Sequence, residues 1–263
     1  MKENAPEFSA SQNNKRIAKN TLMLYFRMIL TMLVSLYTSR VVLNTLGVED
    51  FGIYNVVGGF VTMFGFLNSA MASATQRFLS FEIGKGDRDQ LRNVFSMSVN
   101  IHFLIAFIIL ILAETVGLWF VNTQLTIPAG RMGATQWVYQ FSILAMMVYM
   151  VSVPYNAMII AHERMNVFAW VSIAEVSLKL FIVFMLQWFG FDKLKFYAVL
   201  TFCVSLIIRF IYGFYCSRHF KESKFRFFWN RPLFKTLVSY ASWNLWGNIA
   251  AVLKDQGVNG LLN

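Results

Sequence analysis

The chain has 263 residues, of which 57% are hydrophobic and only 14% charged, with 27 phenylalanines and a mean hydropathy of +0.53. Ordinary soluble domains are close to a quarter charged, so this balance excludes one and indicates an integral membrane protein. A net charge of +10 would suggest nucleic acid in a soluble chain; in a membrane chain it fits basic residues gathered in cytoplasmic loops, and no nucleic-acid partner is expected.

Met1 to Asn14 is polar and reads as a flexible tail. Lys15, Arg16 and Lys19 then precede an apolar run that is too long for a signal peptide and lacks a small-residue cleavage site. It reads as an uncleaved first span over residues 18–40. Arg27 stands inside it, roughly 14 Å deep at ~1.5 Å per residue, near the midplane of a ~30 Å hydrocarbon layer. A tight connection, Asn44 to Gly52, leads to a second span over residues 53–73. Its Gly58, Thr62, Gly65, Ser69 and Ala72 recur at spacings of four and three. That puts small residues on one helical face, for close helix packing or, as the alternative, for a cavity left open.

Further spans follow over residues 94–113, 137–160, 169–189 and 197–215, with a seventh segment from residue 236 to 263. Pro154 lies near the end of the fourth and is expected to kink or loosen it. Cys203 and Cys216 share one apolar segment and read as buried thiols rather than a disulfide or a metal pair. No zinc spacing, nucleophile elbow or phosphate loop is present, so no metal, cofactor or catalytic residue is expected.

With the N-terminus inside, fifteen Lys and Arg fall in the tail and the loops of that side, against four (Arg40, Arg131, Lys193 and Lys195) on the other. This bias predicts a cytoplasmic N-terminus. The remaining four cations, Arg27, Lys179, Arg209 and Lys254, lie within spans, together with two acids, Glu175 and Asp255. A cation at the centre of a span costs ~2.5–3.5 kcal/mol on insertion scales. Glu175 and Lys179 stand at i, i+4, acid first, and can neutralise each other. Lys254 and Asp255 are neighbours that can reach the interface. Arg27 and Arg209 have no acid on their own helices; snorkelling or a partner on another helix would make them structural. The excess of positive charge at membrane depth otherwise points to a wet, cationic cavity that receives an anion.

The run from Ser39 to Asn55, with Leu46-Gly47-x-Glu49-x-Phe51-Gly52 at its centre, and its continuation to Gln76-Arg77-Phe78 resemble the first hairpin of bacterial polysaccharide flippases. These are oligosaccharide-lipid exporters of the multidrug/oligosaccharidyl-lipid/polysaccharide superfamily, and the wording looks most like Bacteroidetes members. The resemblance implies an all-α, polytopic helical membrane protein built as one six-helix lobe of a two-lobe MATE-like transporter plus the first helix of the second lobe. Residues 1–16 would be a cytoplasmic tail, 17–216 the six-span N-lobe, 217–236 a basic cytoplasmic inter-lobe loop and 237–263 the seventh span.

It further implies a multi-pass protein of the bacterial inner (plasma) membrane that flips an undecaprenyl-diphosphate-linked oligosaccharide for surface polysaccharide biosynthesis. The two lobes would alternate access to a cationic central cavity. The partners implied are a lipid-linked oligosaccharide, membrane lipid and a coupling ion, proton or sodium. Basic residues of the family's cavity are thought to meet the diphosphate, so Arg27 is the first substrate-binding candidate, followed by Arg209, Lys179 and its partner Glu175. The family is about twice this length, so the chain is expected to be a truncated product or fragment rather than a dimerising half-transporter.

Three rivals remain. A drug/cation antiporter of the same superfamily typically uses an acid in the first spans, where this chain has none and Arg27 instead. A seven-helix receptor or retinal protein would put the N-terminus outside, against the charge bias. A membrane glycosyltransferase or polymerase would gather acids or histidines on one face, whereas His102, His162 and His219 lie apart.

Overall fold

The computed structural model describes residues 10–63, 65–128, 130–188 and 192–261; the side chains of residues 10–13, 66–67 and 248–261 lie outside the description, and Lys254 and Asp255 with them. The described residues form helices that run back and forth through one bundle. These are α1 (Ala10–Leu46), α2 (Val48–Met63), α3 (Gly65–Lys85), α4 (Arg88–Leu112), α5 (Leu118–Thr123), α6 (Met132–Ala161), α7 (Met165–Leu186), α8 (Lys193–His219) and α9 (Arg231–Leu261). Five stretches are long and apolar enough to cross a membrane, and α2 with α3 makes a sixth if the bent pair counts as one span. The protein is a multi-pass helical membrane protein.

The helices overrun the expected spans at nearly every end. Helix α1 takes in residues 10–14 of the expected polar tail, and the expected loop from Glu82 to Asn93 shrinks to Gly86 and Asp87 between α3 and α4. Apolarity marks only the part of a helix in hydrocarbon, and the backbone keeps its hydrogen bonds into the polar layers beyond. Gly86 at φ +74 makes that tight turn, and Asp87 Oδ1 caps α4 by accepting from Gln90 N at 2.9 Å. The second span is not the single rod expected, because α2 and α3 are bent by 49° between Met63 and Asn68. Glycines weaken the helix there, with Gly58, Gly59 and Gly65 close together. Helix α6, by contrast, continues through Pro154 to Ala161.

The third span continues as a π-turn, Ala113–Gly117, into α5. Its cause is visible in Tyr139 of α6, fully buried, whose Oη donates to the carbonyl of Ala113 at 2.7 Å. A β-carbon on Gly117 would lie 2.1 Å from that oxygen. The widened turn exposes a carbonyl and the glycine leaves room for the phenol that binds it.

Helix α6 is the central element, packed most extensively on α8 and also on α3, α4 and α2, while α1 lies against α7 and α9 against α3 and α4. One apolar core joins α4, α6, α7 and α8 through Phe95, Met158, Val183 and Ile208. A second fills the far end around Val57, Val121, Tyr139 and Leu194. The two ends of the bundle are held by charge. At the Leu46 end, Arg131, which begins α6, donates Nε to Asp50 Oδ1 at 2.8 Å and Nη1 to Asp192 Oδ2 at 3.1 Å, and Nη2 also meets Asp50. The fork ties the α1–α2, α5–α6 and α7–α8 connections together. The hydrogen bond to Asp50 and the charges of both carboxylates push the guanidinium pKa above its ordinary value.

At the other end Arg16 pairs with Glu163 at 3.1 Å. The basic stretch after α8 is pinned to α4: Asn100 Nδ2 donates to Phe228 O at 2.7 Å and Arg226 Nη2 to Asn93 Oδ1 at 3.1 Å.

Two stability predictions follow from these contacts. Gly117→Ala overpacks the π-turn and lowers the thermal midpoint, with a cost of about 1–3 kcal/mol; Tyr139→Phe, which removes the colliding oxygen, recovers part of it in the double variant. Arg131→Ala leaves Asp50 and Asp192 facing each other without a cation and costs about 1–3 kcal/mol. Arg131→Lys keeps the charge but not the fork and costs less. Thermal unfolding in detergent reads both series.

Candidate functional site

Two cavities stack along the bundle axis. The larger, about 350 Å³, lies against the bend between α2 and α3, with α6, α7 and α8 as its other walls. The smaller, about 220 Å³, lies nearer the Ala161 end between α1, α6, α7 and α8. Tyr149, Glu175 and Ser205 line both, so the two spaces share a wall.

The residues that build them recur at helical spacing. Ser142, Ala145, Tyr149, Ser152 and Asn156 step along α6 by three and four; Ala198, Thr201, Ser205, Ile208 and Tyr212 do so along α8; Ser172, Glu175 and Lys179 do so along α7. Each series is one stripe carrying polar groups on an otherwise apolar helix. Gly58, Thr62 and Gly65 complete the larger cavity, so three of the five small residues on the α2–α3 face line open space rather than a close helix contact.

Arg27 reaches the smaller cavity from α1. Its Nη1 donates to Ser172 Oγ at 3.4 Å, and its guanidinium lies 4.4 Å from the centroid of the Phe168 ring. Both partners stand in the first third of α7, about 5–10 Å from its start at ~1.5 Å per residue. The guanidinium is therefore nearer the Ala161 end than the expected midplane, because a helical side chain leans toward the N-terminus of its own helix. Its Nε is buried without a hydrogen-bond partner, and among the described residues no ion pair to Arg27 is present.

Glu175 and Lys179 form the pair their spacing predicts, Lys179 Nζ to Glu175 Oε1 at 2.6 Å, with side chains 37% and 39% exposed respectively and open to the larger cavity. The charged groups lining the two cavities, Arg27, Glu175 and Lys179, sum to one positive charge. Arg209 lines neither cavity. It lies 3.9 Å over the ring of Tyr155, with Nη1 close to Gly213. Of the four expected site residues, three come together and Arg209 stands apart. His102, 1% exposed, turns Nδ1 to the carbonyl of Ser98 at 2.8 Å within its own helix and lines neither cavity.

Several cavity groups escaped the sequence reading. Asn68, 4% exposed, has Oδ1 without a partner, and Asn156 donates Nδ2 to Tyr212 Oη at 3.4 Å while its Oδ1 is unpartnered. Their signal was available in the three-and-four spacing of uncharged polar residues, which a count of charges passes over.

The chain is similar to two solved transporters. One is an outward-facing multidrug resistance MATE-family transporter of the MOP superfamily, with TM-score 0.72 and 14% identity over 91% of this chain and 54% of that one. The other is a MOP-superfamily transporter from Pyrococcus furiosus, described as having a binding pocket of reverse polarity that suggests a different function. It matches with TM-score 0.66 and 11% identity over 85% of this chain and 51% of that one. These likenesses show the fold, a MATE-like helical lobe, and the chain spans about half the length of the transporters it matches. No curated protein sequence matches it. The model of a family described as polysaccharide biosynthesis protein matches residues 17–257, and the chain belongs to that family.

Proposed function

We propose that this protein is one lobe of a flippase that carries a diphosphate-linked oligosaccharide lipid across the bacterial inner membrane, with Arg27 as its contact to the diphosphate. The observation that carries the reading is Arg27 itself, a guanidinium on the wall of a 220 Å³ cavity with one of its donors, Nε, buried and without a partner. A buried donor without an acceptor costs about 1–3 kcal/mol, and a phosphate oxygen is the acceptor a planar guanidinium fork fits best. Membership of the polysaccharide biosynthesis family and the MATE-like fold support the same reading.

On this reading the diphosphate enters the cavity while its lipid tail stays in hydrocarbon. Arg27 supplies charge and orientation, and no covalent step is needed. Residues 17–216 act as the first lobe, residues 217–236, which take in the start of α9, as the basic cytoplasmic connection, and the rest of α9 begins the second lobe. Rocking of two such lobes about the site would expose the head group to alternate sides. The fifteen-to-four charge bias then puts the N-terminus and the Arg16–Glu163 end in the cytoplasm. Arg209, on Tyr155 and outside both cavities, is reassigned from substrate contact to packing.

A cation-coupled antiporter of the same superfamily is the second reading, favoured by Glu175 on the wall of both cavities. Against it, that carboxylate is held by Lys179 at 2.6 Å and the lining is net positive.

Flipping of a fluorescent short-chain polyprenyl-diphosphate sugar in proteoliposomes separates the two. Arg27→Ala is expected to lower the rate roughly tenfold or more, as loss of ~1.5–3 kcal/mol of charge-assisted binding implies, and Arg27→Lys is expected to fall between it and the native chain. Native rates in a folded Arg27→Ala protein would remove Arg27 from the site, and pH-driven efflux of a cationic dye would favour the antiporter.

A further inference from the structure

The two cavities differ in what they can hold. The smaller contains a cation with no carboxylate paired to it. The larger has its only described charges, Glu175 and Lys179, bound to each other at 2.6 Å, so its interior is neutral, a largely apolar wall carrying scattered polar groups. Hydroxyl and amide groups reach it from α2, α3, α6 and α8, among them Tyr54, Thr62, Asn68, Ser142 and Thr201, beside the ring of Phe141. Asn68 is 4% exposed and its Oδ1 has no hydrogen-bond partner. A β-carbon placed on Gly58 would meet nothing within 4 Å, so the space beside it is open.

An apolar occupant would leave Asn68 Oδ1 unsatisfied. A cation would find its carboxylate already taken, and an anion is better served next door. What fits is a neutral ligand that both donates and accepts hydrogen bonds around its edge and offers one apolar face to an aromatic ring. The volume of about 350 Å³ lies within the ~300–1,000 Å³ of small-ligand pockets.

We propose that the larger cavity is a saccharide subsite, which takes the sugar nearest the diphosphate while Arg27 holds the diphosphate in the smaller cavity. The shared wall of Tyr149, Glu175 and Ser205 makes the two subsites adjacent. Gly58 and Gly65, on either side of the bend between α2 and α3, line this space without a side chain to fill it. This inference rests on the reading of Arg27 as the diphosphate contact.

The test uses two probes and the full chain in detergent: farnesyl diphosphate, and the same diphosphate carrying one N-acetylglucosamine. Titration calorimetry reads both affinities. The native chain is expected to bind the sugar-bearing probe about tenfold more tightly. Asn68→Leu, which removes the amide, and Gly58→Leu, whose β-carbon enters open space, are each expected to bring that ratio to within twofold. Arg27→Ala is expected to weaken both probes and keep the ratio.

A ratio near one in the native chain, with Arg27-dependent binding of farnesyl diphosphate, overturns the saccharide subsite alone. A ratio that survives in both folded variants overturns it too. Failure of the folded native chain to bind either probe overturns the diphosphate reading and this inference with it. Gly58→Leu keeps the comparison available if Asn68→Leu does not fold.

Discussion

A guanidinium within an apolar helix costs up to ~2.5–3.5 kcal/mol at the centre of a bilayer on insertion scales, and Arg27, though displaced from the midplane, carries part of that cost with no ion pair among the described residues. What surrounds it is matched to a charge rather than to packing. Ser172 accepts one of its hydrogen bonds, the Phe168 ring faces its plane, and a 220 Å³ space remains on its open side. The contrast with Arg209 is instructive. That residue also lies over a ring, 3.9 Å from Tyr155, but lines neither cavity, so its position serves the α6–α8 contact. Two arginines of equal hydropathy thus occupy two different environments, and only one opens onto space a ligand could fill.

The rest of the bundle keeps that space open. Helices collapse onto each other where small residues let them, yet the α2–α3 segment bends by 49° and leaves Gly58, Thr62 and Gly65 facing a void. Tertiary ties offset the cost of the void. The Asp50–Arg131–Asp192 fork fixes three connections at one end, and the Tyr139 hydroxyl in the π-turn locks the third span to α6. Ties at the end of the bundle thus coexist with open space in its middle.

Much of this was legible in the residues. The apolar runs and their basic connections marked the helices, because hydrocarbon demands continuous apolarity where it touches the chain. The Glu175–Lys179 pair followed from its i, i+4 spacing. The break between α2 and α3 did not: hydropathy runs smoothly through it, and a helix bent at glycines has the composition of a straight one. The fork at Arg131 joins residues 81 and 61 positions apart, which no local pattern reveals. Arg27 and Arg209 looked alike because depth along a helix says nothing about azimuth, and azimuth decided which of them met a cavity. The polar stripe of Ser142, Tyr149, Ser152 and Asn156 was readable as a period, but only to a reading that weighed neutral polar groups as heavily as charges.

The central claim is that Arg27 makes a water-filled cavity cationic, and charge-selective labelling tests it most directly. Ser172→Cys, in a chain with Cys203 and Cys216 replaced by alanine, puts a thiol beside the guanidinium. Reaction with an anionic methanethiosulfonate is expected to outpace reaction with a cationic one by roughly tenfold, the factor that ~1.4 kcal/mol of local potential gives, and Arg27→Gln should abolish the preference. A thiol inert to both reagents, or one that prefers the cationic reagent with Arg27 in place, would contradict the account.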